Sequence, residues 1–234
     1  MSMFFSQNGN AEEGFYYALT PWGTAALVLL TVAFLVLIAF LKRPRDEETA
    51  REQRFSAKQL VFSGMCIAIA FALSYVRVIR MPWGGAVTLC SMLFVTLIGY
   101  WYGPKIGLAG AFAYSLLQFI QDGGSYVLSP LQACLDYIFA FTALGASGFF
   151  HGKKDGLRRG YLFAVLLRGL FHTLGGYLYW MDYMPDNFPK SLSFIYPFCY
   201  NYAFLLAEAA VTLLLLSLPP VRAALQRAGA QARS

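Results

Sequence analysis

The sequence predicts an all-α membrane protein, a fold class indicated by its composition and by seven long apolar runs. Apolar residues make up 58% of the 234-residue chain and charged residues only 13%, whereas soluble domains carry about 25% charged residues. A helix that spans a membrane needs roughly 20 mostly apolar residues. The runs lie at 21–41, 59–79, 87–103, 105–121, 130–150, 160–180 and 194–218. They are continuous rather than alternating, which excludes a membrane β-barrel.

Lys and Arg are distributed unevenly between the predicted loops. Fourteen fall in one set of loops and the C-terminal tail, three fall in the alternate set, and the first 20 residues contain none. Because basic loops tend to stay in the cytoplasm, we expect the N-terminus outside and the C-terminus inside. The same distribution accounts for the net charge of +6, so this charge does not imply that the protein binds nucleic acid.

The runs and the charges divide the chain into four segments. We expect an outside tail and an extra transmembrane helix at 1–41, a charged cytoplasmic linker at 42–57, a six-helix membrane domain at 58–220 and a basic cytoplasmic tail at 221–234. The first run follows two glutamates and precedes basic residues. It is therefore expected to be a retained helix rather than a cleaved signal peptide.

Two acidic residues, Asp136 and Glu208, lie within apolar runs. A charge in hydrocarbon costs on the order of 2.5–3.5 kcal/mol, so such groups usually face the bundle interior or a cavity. Asp136 is expected about 9 Å from the outer end of its run, where it could serve a ligand or pair with Arg168. Glu208 is expected near mid-bilayer, deeper than any site around Asp136, where a structural hydrogen bond or ion pair explains it better than ligand contact.

Aromatic and polar residues collect at the depth of Asp136. Each has an ordinary structural explanation as an interfacial aromatic, an interior histidine or an amide that joins helices. Together they predict an outward-facing cavity for a small, partly aromatic cation, because aromatic faces attract cations and a buried carboxylate adds Coulomb attraction. The candidate residues are Asp136, Tyr137, His172, Trp180, Tyr196, Asn201, and, in the outer loops, Tyr126 and Trp83.

Several motifs after residue 55 occur in an order typical of one family. They are GGAVTLCSM at 84–92, SPLQ at 129–132 with LDY at 135–137, RGLFH at 168–172, Trp180, and Tyr196 with Asn201. With these motifs the chain resembles the thiamine-specific substrate-binding (S) component of energy-coupling-factor (ECF) transporters. The resemblance covers about 165 residues, the whole predicted six-helix unit, and implies a six-helix S-component bundle with one additional N-terminal helix.

The resemblance implies that the protein binds thiamine, without a catalytic residue, a metal or a cofactor. Trp180 would stack on a ring of the ligand, and Asp136 would lie near the thiazolium charge. The residues implied around the rest of thiamine are His172, Tyr126, Tyr137, Tyr196 and Asn201, with Trp83 as a further match. Two departures stand out: the family usually has Glu where this chain has Asp136, and some members have an acid where this chain has Val87.

The family also implies partners. Ala68 and Ala72 match an Ala-x-x-x-Ala stripe that contacts the transmembrane coupling subunit, although small residues at this spacing also serve ordinary helix packing. Two ATPase subunits complete such a complex in the cell membrane. The chain has no Gly-x-x-x-x-Gly-Lys-Ser/Thr loop, so we expect ATP hydrolysis on the partners.

Three other functions stay open from the sequence. An S component for riboflavin or for the pyrimidine moiety of thiamine would share the fold. An intramembrane enzyme could use His172 with Asp136 or Glu208, although no familiar hydrolase or metalloprotease motif is present. A purely structural protein would give no reason for polar and aromatic groups to meet at one depth.

Overall fold

The computed structural model describes residues 5–10, 14–22, 25, 56–82, 84–122 and 128–234. Two antiparallel hairpins occur in this part, β1 (Phe5–Asn10) with β2 (Gly14–Leu19) and β3 (Arg77–Arg80) with β4 (Ala86–Thr88). The complete helices are α1 (Ala57–Ser74), α2 (Ser91–Tyr102), α3 (Pro104–Asp122), α4 (Pro130–Phe150), α5 (Gly156–Tyr179), α6 (Tyr196–Leu215) and α7 (Pro219–Arg233). Short 3₁₀ turns, Met181–Tyr183 and Lys190–Ile195, connect α5 to α6.

The helical membrane class predicted from the sequence is confirmed. Within the described ranges, α1, α4, α5, and α6 with its preceding turn are long and apolar enough to cross a membrane, and α2 is a shorter apolar helix. The extra helix at 21–41 lies almost entirely outside the described residues. The count of seven spans and the orientation therefore remain predictions.

The predicted boundary between the second and third runs is wrong. The run at 59–79 contains α1 only as far as Ser74, and the run at 87–103 contains α2 only from Ser91. The β3–β4 hairpin takes up the intervening residues. Val78 and Ile79 are apolar enough to extend a hydropathy window, but they are β-branched and lie in β3, a conformation that such side chains favour.

Helix α4 lies at the centre of the bundle, and 72% of its apolar window is buried. Its second half, Ala143–Phe150, packs against α2, α3 and α5. Gly145 and Gly107 make the closest approach, because a Cβ added to Gly145 would lie 2.4 Å from the carbonyl carbon of Gly107. Small residues allow this backbone contact, which is a common way to pack helices without a large apolar side chain between them.

The segment predicted as a basic tail forms α7 and packs against the ends of α1 and α2. Tyr102 donates a hydrogen bond to the carbonyl of Ala232 at 3.1 Å, and Lys58 Nζ donates to Ser234 Oγ at 2.9 Å. Pro219 begins this helix, a position where proline is favoured because its missing N–H would be unpaired. The C-terminal segment is therefore part of the folded unit.

Candidate functional site

A cavity of about 230 Å³ lies where α5 ends and α6 begins, bounded also by α4 and the β3–β4 hairpin. One water needs about 10–15 Å³, so the cavity has room for a small organic molecule. Six of the eight predicted site residues line it: Asp136, Tyr137, His172, Trp180, Tyr196 and Asn201. The other two, Trp83 and Tyr126, lie outside the described residues.

Asp136 contacts three side chains at this cavity. Its Oδ2 accepts hydrogen bonds from Gln132 Nε2 at 2.7 Å and from the indole N–H of Trp180 at 3.0 Å. Its Oδ1 lies 3.3 Å from His172 Nδ1. The side chain is 14% exposed, so three donors stabilise a carboxylate that is largely removed from water.

The local helix geometry turns Asp136 and Tyr137 into the cavity. Both lie in a π-helical turn, Cys134–Phe139, inside α4. Such turns hold one extra residue and occur often at functional sites. Tyr137 is buried, and its ring packs edge-on against Phe119 at 5.6 Å. This turn therefore gives two neighbouring residues access to one cavity.

A glycine on α5 makes room for the carboxylate. A Cβ added to Gly175 would lie 2.5 Å from Asp136 Oδ1, closer than Cβ atoms come to an oxygen in real structures. The α5 backbone thus approaches the carboxyl group directly. The position of Asp136 is set by this contact on one side and by Gln132 and Trp180 on the other.

Arg168 contacts His172 rather than Asp136. Its Nε donates to His172 Nε2 at 3.2 Å, and its guanidinium lies over the ring of Phe141 at 4.0 Å. Because Nε2 accepts this bond, the imidazole proton is on Nδ1, which donates to Asp136. The structure does not contain the alternative direct Asp136–Arg168 pair, because the imidazole of His172 lies between the two groups.

Glu208 lines the same cavity, contrary to the expectation that it lies deeper than the site. It is 2% exposed. Its carboxylate accepts from the backbone and hydroxyl of Thr88 at 2.8 and 2.7 Å, and from the backbone of Met92 at 3.3 Å. Cys90, the residue before α2, provides no side-chain cap. Glu208 therefore caps α2 from another helix, which agrees with the predicted structural hydrogen bond and with the helix dipole.

The β3–β4 hairpin is held against the start of α6. The hydroxyl of Tyr200 donates to the carbonyls of Pro82 and Gly84, the latter at 2.8 Å. Gly84 and Gly85 both have positive φ, 97° and 75°, a conformation that glycine adopts without strain. A Cβ on Gly85 would also lie 2.9 Å from the ring of Phe204. The hairpin wall of the cavity thus depends on two glycines and one tyrosine.

Asn201 joins α5 to α6 beside the cavity. Its Nδ2 donates to the carbonyl of Pro197 at 2.8 Å and to that of His172 at 3.2 Å. Tyr196, on the same helix, packs against Phe188 and Tyr200 with ring centroids 5.0 and 5.7 Å apart. Both residues face the cavity, and Asn201 also fulfils the helix-joining role that the sequence left open.

Several residues that line the Asp136 cavity were not predicted from the sequence. They are Gln132, Gln118, Tyr183, Arg77 and Arg80. Gln132 precedes Asp136 by four residues, a spacing that brings side chains together on a helix, so its contact could have been anticipated. The two arginines belong to the hairpin, which the apolar pattern concealed.

The site gives no support to the enzyme alternative. His172 does lie beside Asp136, as an acid–base pair requires, but its Nε2 accepts a bond from Arg168 and is not available as a base. Among the residues that the structure describes, no group of three or more His, Cys, Asp or Glu could hold a metal ion. The arrangement favours binding, because a hydrogen-bonded carboxylate, several aromatic rings and polar groups surround one cavity.

Fold and cavity define a class, a helical membrane protein with a polar and aromatic ligand cavity at one end of its bundle. The sequence profile of the family described as Thiamine transporter protein (Thia_YuaJ) matches residues 60–226. The chain therefore belongs to the thiamine transporter protein family, and with its long apolar helices it is a multi-pass protein of the cell membrane.

Individual relatives agree with this assignment. Thiamine transporter ThiT of Bacillus subtilis (strain 168) is 30% identical over 153 residues, which cover 60% of this chain and 77% of the relative. Thiamine transporter ThiT of Lacticaseibacillus paracasei is 32% identical over 91 residues, covering 32% of this chain and 45% of the relative. A solved structure of ThiT from Listeria monocytogenes has a TM-score of 0.55 at 21% identity and covers 69% of this chain and 94% of the solved chain. That likeness shows a shared fold.

Proposed function

We propose that this chain binds thiamine in the cavity around Asp136 and serves as the S component of an ECF transporter. Thiamine combines an aminopyrimidine ring with a positively charged thiazolium ring. Family membership and the relatives named thiamine transporters support this ligand. The chain would capture the vitamin outside, and partner subunits would drive its release inside.

The observation that carries the proposal is the contact between Asp136 and Trp180. The indole N–H donates to the carboxylate at 3.0 Å, so the aromatic face and the negative charge stand side by side at the cavity. A cationic aromatic ring placed there would stack on the indole and gain Coulomb attraction from the carboxylate. The aromatic attraction alone reaches about 2 kcal/mol when the cation is desolvated.

The remaining polar residues have supporting roles in this proposal. Both ring nitrogens of His172 already have partners, Asp136 and Arg168, so the histidine orients the carboxylate and contacts thiamine through its edge. Tyr196 and Asn201 provide a hydroxyl and an amide carbonyl for the aminopyrimidine. Tyr137 closes the wall opposite Trp180.

Coupling to the transporter would use the exposed face of α1. Ala68 and Ala72 are both exposed, and so is Gly64, which continues the same four-residue spacing. A Cβ added to Gly64 would meet nothing within 4 Å. A helix with only small side chains along one face allows close approach of another helix. We propose that the coupling transmembrane subunit packs here and links the chain to two ATPase subunits.

The experiment is a titration of the purified chain with thiamine, followed by intrinsic tryptophan fluorescence. We expect saturable quenching with a dissociation constant below about 1 µM. The quenching should vanish in Trp180→Ala and persist in Trp22→Phe, a change at a tryptophan that is 66% exposed.

Riboflavin and the free pyrimidine moiety of thiamine serve as competing ligands. Quenching by one of these with no response to thiamine would reject the proposed ligand and identify a neighbouring kind of S component. Equal loss of quenching in Trp180→Ala and Trp22→Phe would instead reject the proposed position of the site.

A further inference from the structure

A second cavity, of about 250 Å³, lies at the opposite end of the bundle. It is bounded by the end of α2, the beginning of α5, the end of α6 and the docked helix α7. Helix α5 runs from this cavity to the Asp136 cavity, a length of about 36 Å at 1.5 Å per residue. The two cavities are therefore separate sites.

Trp101 lines the second cavity and offers it a hydrogen-bond donor. Trp101 is 5% exposed, and its ring packs edge-on against Phe62 and Tyr102. None of the described residues accepts a hydrogen bond from its indole N–H. This N–H is not one of the fully buried side-chain atoms that lack a partner, so it is accessible at the cavity and can donate to a bound acceptor.

A guanidinium lies beside this donor. A Cβ added to Gly229 of α7 would lie 2.8 Å from Trp101 Nε1 and 3.2 Å from Arg233 Nη1. Gly229 thus packs against both groups, and the indole nitrogen and the guanidinium lie close together in the cavity wall. Two N–H donors, one of them charged, are suited to a phosphate oxygen.

Further charges favour an anion. Arg158 lines the cavity and is held in place by donating to the carbonyl of Leu216 at 3.1 Å and to Ser217 Oγ at 3.2 Å. Arg222 of α7 also lines it, and Asp155 is the one acid among the described residues that do so. Three arginines against one carboxylate give this cavity a net positive charge.

The lining also includes four leucines, beside Tyr100 and Gln226: Leu97, Leu157, Leu216 and Leu225. We propose that this cavity binds an anionic phospholipid, with its phosphate at Trp101 and Arg233 and its glycerol and first acyl carbons against the leucines. A free phosphate would use the charges but leave the apolar wall uncovered. Basic pockets between membrane helices on the cytoplasmic side are known to suit anionic head groups, and the Lys and Arg distribution predicts that this end faces the cytoplasm.

The test uses the full-length chain in detergent, incubated with phosphatidylglycerol or phosphatidylcholine and examined by native mass spectrometry. We expect about one phosphatidylglycerol retained per chain, in preference to phosphatidylcholine. Arg233→Gln and Trp101→Phe should each weaken retention about tenfold, the loss expected for one hydrogen bond to a charged group. Arg227→Gln is the matched control, because Arg227 is on the same helix and does not line the cavity.

Several outcomes would overturn the proposal. Equal loss in Arg227→Gln and Arg233→Gln would mean attraction to a basic surface and no defined site. Equal retention of phosphatidylglycerol and phosphatidylcholine would show that the negative charge of the lipid does not contribute to binding. Displacement of phosphatidylglycerol by millimolar inorganic phosphate would assign the cavity to a soluble phosphate compound. Arg233 is exposed, so its variant tests the site even if Trp101→Phe fails to fold, and thiamine takes no part in the assay.

Discussion

Trp180 and Asp136 are 44 residues apart in the sequence and are joined by a 3.0 Å hydrogen bond between the indole N–H and Oδ2. The bond links the end of α5 to the π-helical turn of α4. It aligns an aromatic face with a carboxylate at the wall of one cavity. Both the carboxylate of Asp136 and the indole of Trp180 should therefore contribute to ligand binding.

Asp136→Asn should weaken thiamine binding about tenfold to a hundredfold, because it removes the counter-charge and places an amide opposite the donors Gln132 and Trp180. Isothermal titration calorimetry measures the affinity, and thermal unfolding without ligand checks the fold. Asp182→Asn is the control, since Asp182 is an exposed acid at the same end of the bundle. Unchanged affinity in Asp136→Asn would make Asp136 a structural acid.

Trp180→Phe should retain part of the affinity that Trp180→Ala loses. Phenylalanine keeps an aromatic face but cannot donate to Asp136, so the stacking and the hydrogen bond are separated. Thiamine affinities of the two variants, measured by calorimetry, should differ by at least about tenfold. Equal affinities would mean that the ring of residue 180 does not contact the ligand.

Gly175→Ala should displace the Asp136 carboxylate, since the new Cβ would lie 2.5 Å from Oδ1. Overpacking of this kind costs about 1–3 kcal/mol, which we expect as lower thiamine affinity and a lower melting temperature. Gly64→Ala is the control, because a Cβ there meets nothing within 4 Å. If both alanine variants bind thiamine like the original chain, contact between α5 and Asp136 does not set the position of the carboxylate.

Glu208→Gln should destabilise the fold more than it affects the ligand. The carboxylate accepts bonds from the backbone N–H groups of Thr88 and Met92 and from the Thr88 hydroxyl. A glutamine would lose the charge and turn an N–H₂ group towards these donors, at a cost of about 1–3 kcal/mol. Thermal unfolding without thiamine measures the loss. An unchanged melting temperature with lost binding would instead assign Glu208 to the ligand.

Ala72→Leu should abolish thiamine uptake by cells that supply the coupling and ATPase subunits, while binding by the purified chain stays intact. The larger side chain would keep another helix from the backbone of α1. Ala210→Leu, an exposed alanine on α6, is the matched control. Loss of uptake in both variants would point to a general defect in the membrane, and normal uptake in Ala72→Leu would place the interface elsewhere.

The sequence predicted the membrane class and a large part of the site because apolar runs and intramembrane charges have few alternatives in hydrocarbon. The spacing of His172 and Trp180 along one helix and the cost of Asp136 in an apolar run suggested a shared cavity, and the structure places all three residues at one. Composition and helical period singled out these residues, whereas their meeting depends on how α4 and α5 pack.

What the sequence did not predict depends on contacts between distant residues. The end of α1 at Ser74 was missed because the apolar residues of β3 extend the hydropathy signal. Glu208 was placed too deep because its position depends on contacts with residues far away in the sequence, Thr88 of β4 and Met92 of α2. The contact of Arg168 could not be predicted for a similar reason: only the structure shows His172 between it and Asp136.

The π-helical turn in α4 has a consequence for how this helix can change. One extra residue in the turn rotates everything after it by about 100° relative to a regular helix. The rotation of the half of α4 that carries Asp136 is therefore not fixed by the half that packs through Gly145. Loss of a single residue in 137–139 would turn the carboxylate away from the cavity and leave the centre of the bundle in register, so binding could be removed without rebuilding the scaffold.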